Sequence, residues 1–92
     1  MFFITTIDSK HDDIRCVGYY KDFDTAKDVV INNNCDINET CYDFCIIENV
    51  PEGLYRYDYN PVWFRWNSET EHYEVIDYVP EQYKGEIGFS VG

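Results

Sequence analysis

The chain has 92 residues, 18 of them acidic and 7 basic, and a formal net charge of −11 at pH 7. Because a surface of that charge repels polyanions, direct binding to nucleic acid or anionic lipid is disfavoured, and basic protein surfaces are the favoured partners. Aromatic residues make up 18% of the chain, far more than a disordered acidic tail carries, so we expect a folded domain.

A chain of 92 residues can bury one modest core but not two. We therefore predict a single domain over residues 1–80 and an irregular C-terminal tail over residues 81–92, after Pro80 ends the regular pattern. The amino terminus lacks the basic and long apolar regions of a signal peptide, and no apolar run approaches the ~20 residues that span a bilayer. These observations predict a cytoplasmic protein that does not associate with membranes.

The first part of the chain predicts a β-hairpin followed by a short helix. Residues 2–7 and 14–20 are the two strands, joined by an acidic loop. Strict alternation in the second strand places residues 14, 16, 18 and 20 on one face. Asp22 and Asp24 are two candidate N-caps for a helix of about three turns, which the asparagines at 32–34 can end.

The second part of the chain is rich in strand patterns. Residues 42–50 are apolar on both faces, as in a central strand covered on each side. A turn signal at residues 51–53 precedes Tyr55, Tyr57 and Tyr59, which alternate with other residues. Residues 62–66 and 71–78 predict a second hairpin, with cross-strand pairs from Phe64 or Trp66 to Tyr73 or Val75.

This order of elements predicts an α+β fold. An antiparallel sheet of four to five strands would carry one helix packed across a face, in the order β-β-α-β-β-β.

No motif in the chain points to an enzyme, a metal site or a cofactor. The cysteines contain no Cys-x2-Cys pair, so their spacing favours reduced, packed side chains over a zinc site; they are Cys16, Cys35, Cys41 and Cys45. His11 and His72 adjoin no recognisable nucleophile signature. Paired carboxylates could act in acid–base chemistry only within a pocket, which so small a domain struggles to enclose.

The combination of acidic and aromatic side chains points instead to a protein–protein interface, because Tyr and Trp are enriched at binding hot spots. The candidate residues for steering a basic partner are Asp12, Asp13, Asp22, Asp24, Glu52, Asp58, Glu69, Glu71 and Glu74. The candidates for anchoring contacts are Tyr57, Tyr59 and Trp63. If these rings are exposed, a homodimer formed through the sheet competes with a different partner.

Residues 16–26 and 36–48, with the later residues 52–55, resemble an uncharacterised family of small acidic proteins of gut-type Gram-positive bacteria and their mobile elements. The resemblance implies no catalytic residues. In size, acidity and lack of motifs the chain is also similar to phage anti-CRISPR proteins, many of which block a basic nucleic-acid groove.

Our leading hypothesis is therefore a small, non-enzymatic acidic binding protein that occludes a basic surface of a nucleic-acid-binding protein. A DNA-mimicking, counter-defence inhibitor of a phage or mobile element fits this description. The alternative is a self-associating domain of housekeeping role whose acidity serves solubility alone.

Overall fold

A computed structural model describes residues 1–52, 61–85 and Phe89. Within them, five strands form one antiparallel sheet in the order β2-β1-β3-β4-β5, and a single α-helix packs on one face. The elements are β1 (Phe2–Asp8), β2 (Asp13–Tyr20), α1 (Phe23–Ile31), β3 (Phe44–Asn49), β4 (Val62–Asn67) and β5 (His72–Ile76). The α+β prediction and its β-β-α-β-β-β order are confirmed.

The first hairpin contains a β-bulge, which interrupts the predicted strict alternation. Ile4 pairs with Gly18 and Thr5 pairs with Cys16, so Val17 is an extra residue in β2. A bulge of this kind reverses the alternation of side chains beyond it. The prediction of one shared face is therefore wrong, because residues 14 and 16 lie on one face of the sheet and residues 18 and 20 on the other.

Helix α1 begins at a capped end and buries a narrow apolar stripe. Of the two predicted N-caps, Asp22 is the cap, since its carboxylate accepts bonds from the Thr25 backbone N–H at 3.0 Å and the Thr25 hydroxyl at 2.9 Å. Ala26 and Val30 are buried against the sheet. The helix ends at Asn32, whose backbone N–H bonds to the Asp28 carbonyl at 3.0 Å. A three-turn helix is marginal alone, so this contact with the sheet stabilises it.

The main core lies between α1 and the sheet. Its buried members are Ile4, Ala26, Val30, Ile37, Cys45, Ile47, Phe64 and Tyr73. The second hairpin is present as predicted, and of the cross-strand pairs that the sequence left open it contains Phe64 opposite Val75 and Trp66 opposite Tyr73. The Trp66 and Tyr73 rings meet edge to face, with centroids 5.0 Å apart.

The other face of the sheet carries a second, smaller cluster, to which the C-terminal segment contributes. Ile7, Ile46 and Trp63 come from the strands, and Tyr83 covers them from a 3-10 turn at Glu81–Tyr83. The Tyr83 ring stacks on Trp63 at a centroid distance of 5.9 Å, and Phe89 meets the same indole edge-on at 5.2 Å. These described residues of the predicted irregular tail therefore belong to the core, and β3 is covered on both faces.

Candidate functional site

The topology assembles an acidic region at one end of the sheet. Strands β1 and β4 run in the same direction, because both are antiparallel to the β3 strand between them. The β1–β2 turn, the β4–β5 turn and the start of β3 therefore lie at the same end. We call this surface the turn end and define it as residues 9–13, 43 and 68–71.

Four of the predicted partner-binding carboxylates lie at the turn end: Asp12, Asp13, Glu69 and Glu71. All four are exposed. Within the described residues none of them forms an ion pair, and the one side-chain bond among them runs from the Tyr42 hydroxyl to the Asp13 carboxylate at 3.3 Å. Their negative charge is therefore left for a partner to neutralise.

Asp43 links the β1–β2 turn to the start of β3 and to β4. Its carboxylate accepts a bond from the Ser9 backbone N–H at 2.9 Å and a second bond from the Ser9 hydroxyl. Its carbonyl accepts from the Trp66 N–H at 2.8 Å. The Gln82 side chain donates to the Ser9 carbonyl at 3.1 Å, which ties the C-terminal segment to the same loop. The carboxylates thus project from turns that the sheet holds in fixed positions.

Asp8 organises the β1–β2 turn from within. This buried residue accepts bonds from the backbone N–H groups of Lys10 and His11, and its carboxylate lies 2.7 Å from Nδ1 of His11. The hydrogen bond with the His11 ring lowers the pKa of Asp8, against the opposing effect of burial. The ionised carboxylate is thus the form that the folded turn favours.

We expect Asp8→Asn to lower the free energy of unfolding at neutral pH and to have progressively less effect in acid. Because the folded pKa of Asp8 lies below its ordinary value of 3.8, its stabilising effect is present above that value and is lost as the pH falls through the folded pKa. Urea unfolding of both proteins between about pH 7 and about pH 2 measures the difference. Asp12→Asn in the same turn is the control, and a gap that stays constant with pH would contradict the expectation.

The remaining predicted carboxylates do not join the turn end. Asp22 and Asp24 lie at the start of α1 and Glu52 follows β3, all at the opposite end of the sheet. Asp22 is also occupied as a helix cap. Glu74 lies on the edge strand β5, where it accepts a bond from the Asn67 side chain. The structure therefore brings four of the predicted carboxylates together at the turn end and places the other described ones elsewhere.

The predicted anchoring role of Trp63 is wrong. Its side chain is 4% exposed beneath Tyr83 and Phe89, and a ring so buried cannot reach a partner. Tyr55, Tyr57, Asp58 and Tyr59 lie outside the described residues. The exposed aromatic residues include Tyr19, which is 59% exposed on β2, and Tyr78, which is 48% exposed after β5. The β2 bulge sets which residues are displayed on that strand, and the isolated Gly18 beside it is the sequence signal that could have indicated it.

The described residues contain no group of three or more His, Cys, Asp or Glu side chains that could hold a metal ion. Burial raises the pKa of the Cys45 thiol, and it also raises that of Cys41, where nearby carboxylates, Asp8 foremost, add to the effect. Both shifts disfavour the reactive thiolate. No helix in the described ranges has the length and hydrophobicity that crossing a bilayer requires.

The chain matches no protein-family model, no curated protein and no solved structure. Function therefore has to be argued from the surface of this molecule itself.

Proposed function

We propose that this chain is a small, non-enzymatic acidic binding protein that occludes the basic surface of a nucleic-acid-binding protein. The turn end is the observation that carries the proposal. Four exposed carboxylates without ion-pair partners among the described residues extend from two turns at the same end of the sheet, and Asp43 holds the first of these turns through Ser9. Such an arrangement attracts a cationic cleft and repels the nucleic acid that would otherwise enter it.

The spacing of the turns decides how far their charges act together. β1 and β4 are separated by one strand, so the two turns are about 10 Å apart, slightly more than the Debye length of about 8 Å at physiological salt. The fields of the two turns therefore add at low ionic strength and are largely screened from each other at physiological salt. Duplex DNA carries about one charge per 1.7 Å, so four carboxylates replace the charge of only a few base pairs. Charge therefore steers the encounter, and short-range contacts have to supply specificity.

The proposed biological setting is counter-defence by a phage or a mobile element, in the cytoplasm of a Gram-positive bacterium. The resemblance of residues 16–26 and 36–48 to small acidic proteins of mobile elements supports it. The mechanism is steric occlusion, in which the bound protein covers the groove that nucleic acid would occupy.

Neutralising the turn end is expected to weaken partner binding by about tenfold or more at low salt, since each exposed ion pair contributes about 0.2–1 kcal/mol. The variant combines Asp12→Asn, Asp13→Asn, Glu69→Gln and Glu71→Gln. The partner is first captured from a Gram-positive lysate treated with nuclease, and the affinities of the purified pair are then measured at about 50 mM and about 300 mM salt. The native protein should show the steeper salt dependence, and excess duplex DNA should displace the partner.

A matched control changes the net charge by the same amount elsewhere on the molecule. Asp24→Asn, Asp28→Asn, Glu52→Gln and Asp77→Asn are exposed and lie away from the turn end, and this variant should retain affinity within about threefold. Equal losses in the two variants would contradict a localised site, and salt-independent binding would contradict the electrostatic mechanism. A stable dimer in sedimentation, with no captured partner that DNA can displace, would support the self-associating alternative instead.

A further inference from the structure

A groove of about 350 Å³ lies beside the edge strand β2, on the face that carries the helix. Val17, Gly18 and Tyr20 of β2 form one side, and Val29 of α1 and Cys35 form the other. The lining is mainly apolar. A Cβ atom placed on Gly18 would meet nothing within 4 Å, so the groove is open where this residue has no side chain.

Strand β2 itself offers a hydrogen-bonding edge. It is the first strand of the sheet and, in the described chain, pairs with β1 alone. Its outer N–H and C=O groups are the kind of template to which an extended segment adds as a further strand. Ile14 is 42% exposed and Tyr19 59% exposed on the same strand, on the face away from the groove. An added strand could therefore make contacts on both faces of the sheet.

The groove continues into an acidic end. A second cavity of about 360 Å³ shares Val17 and Cys35 with the first and is also lined by Arg15, Asp36 and Glu39. Glu39 is paired with Arg15 at 2.7 Å. Asp36 is exposed and has no ion-pair partner within the described residues. This end of the groove is thus suited to a cationic side chain.

The far wall of the groove is preformed by a tightly bonded loop. Cys35 and Asp36 adopt left-handed backbone angles, with φ of 57° and 52°. Asn38 holds the loop, because its side chain donates to the Tyr42 carbonyl at 2.8 Å and accepts from the Thr40 N–H at 3.0 Å. A wall fixed before binding lowers the ordering entropy that an incoming segment has to overcome.

We propose that the edge of β2 and this groove bind an extended segment of the partner protein with alternating apolar and other residues and at least one Lys or Arg. An apolar side chain would lie over Gly18, and a cationic one would approach Asp36. A second copy of this chain is disfavoured as the occupant, because it would bring another net charge of −11 to an edge that already carries unpaired acid. The inference rests on the proposed function for the basic character of the partner.

The probe is the acetylated, amidated octapeptide Thr-Lys-Thr-Leu-Thr-Val-Thr-Arg, in which the cationic and apolar side chains share one face of the strand; it is titrated into ¹⁵N-labelled protein. We expect amide shifts in residues 14–20 of β2 and in residues 34–39. Successive backbone N–H groups of an extended peptide point to opposite edges. N-methylation of two consecutive central residues therefore removes a hydrogen bond to β2 whichever edge of the peptide pairs with it, and the affinity should fall about tenfold. A copy with Glu in place of Lys and Arg should also bind more weakly, and the difference should shrink with added salt.

Gly18→Leu fills the groove and should weaken peptide binding about tenfold. Cys16→Leu, on the opposite face of the same strand, is the matched control and should stay within about twofold. If Gly18→Leu does not give the amide spectrum of a folded protein, Asp36→Asn is the variant used instead. Asn tolerates the left-handed backbone at that position. This variant should weaken binding about threefold and flatten the salt dependence.

Equal binding by the N-methylated peptide, or shifts centred on β5 or the turn end, would overturn the inference. Self-association that shifts the β2 amides with protein concentration would overturn it in favour of a second copy. The turn-end variant described above should bind the peptide within about threefold of the native protein. If the peptide does not bind but the turn-end variant loses affinity for the partner, only the groove is refuted. If the peptide binds but the turn-end variant keeps its affinity for the partner, only the proposed function is refuted.

Discussion

Replacing Phe64 with alanine should lower the free energy of unfolding by about 3–5 kcal/mol. The Phe64 ring is 0% exposed and lies in the main core between α1 and the sheet. Truncation removes its buried apolar area and leaves a cavity that the sheet and helix cannot fully close. Since a domain of this size is stable by about 5–15 kcal/mol, the loss is a large fraction of the total. Urea unfolding followed by the fluorescence of Trp63 and Trp66 measures it.

Val75→Ala is the matched control for Phe64→Ala. Val75 lies directly opposite Phe64 on β5, but it is 55% exposed. Its truncation should therefore lower the free energy of unfolding by no more than about 1 kcal/mol. Equal losses in the free energy of unfolding for the two substitutions would show that the helix does not cover β4. Should Phe64→Ala fail to fold, Phe64→Leu is expected to be folded with a smaller loss of about 1–2 kcal/mol.

Tyr83→Ala should lower the free energy of unfolding by about 3 kcal/mol, because it removes the ring that covers Trp63 on the second face. The emission of Trp63 should shift to longer wavelength as water reaches the indole. Denaturant unfolding and the emission spectrum of the folded variant are the two measurements.

Tyr83→Phe keeps the aromatic ring and removes only the hydroxyl, so it measures the contribution of the hydroxyl to stability. The Tyr83 hydroxyl is buried and has no hydrogen-bond partner within the described residues. Removing it should be neutral or raise the free energy of unfolding by up to about 1 kcal/mol, because an unsatisfied buried polar group is unfavourable. A loss as large as that of Tyr83→Ala would mean that the hydroxyl is bonded in solution. No loss in Tyr83→Ala would mean that the C-terminal segment does not pack on the sheet.

Local patterns were sufficient to predict most of the fold. The alternation of large residues in β4 and β5 predicts a hairpin with cross-strand pairs from Phe64 or Trp66 to Tyr73 or Val75, and the observed pairs are Phe64 with Val75 and Trp66 with Tyr73. The apolar residues of β3 predict a strand covered on both faces, as Cys45 and Ile46 are. Each of these signals depends on side-chain periodicity, which a single strand reveals without knowledge of its neighbours.

Features that depend on pairing or on distant segments could not be predicted in this way. The bulge at Val17 arises from the fit between β1 and β2, and the neighbouring Gly18 signals an irregular strand without giving the position of the register shift. Trp63 resembles an exposed hot-spot residue until Tyr83, twenty positions later, is known to cover it. The grouping of Asp12 and Asp13 with Glu69 and Glu71 follows from the strand order, which composition and spacing do not determine.

The position of β1 has a consequence during synthesis on the ribosome. β1 lies between β2 and β3 in the sheet, yet β3 is translated only after β2 and α1. The nascent N-terminal hairpin therefore exposes one full edge of β1, with Ile4 and Ile7, until the polypeptide has emerged beyond Asn49. We expect the charges of Asp8 and Asp22, at the two ends of the hairpin, to oppose the pairing of neighbouring nascent chains through this edge, as gatekeeper residues do.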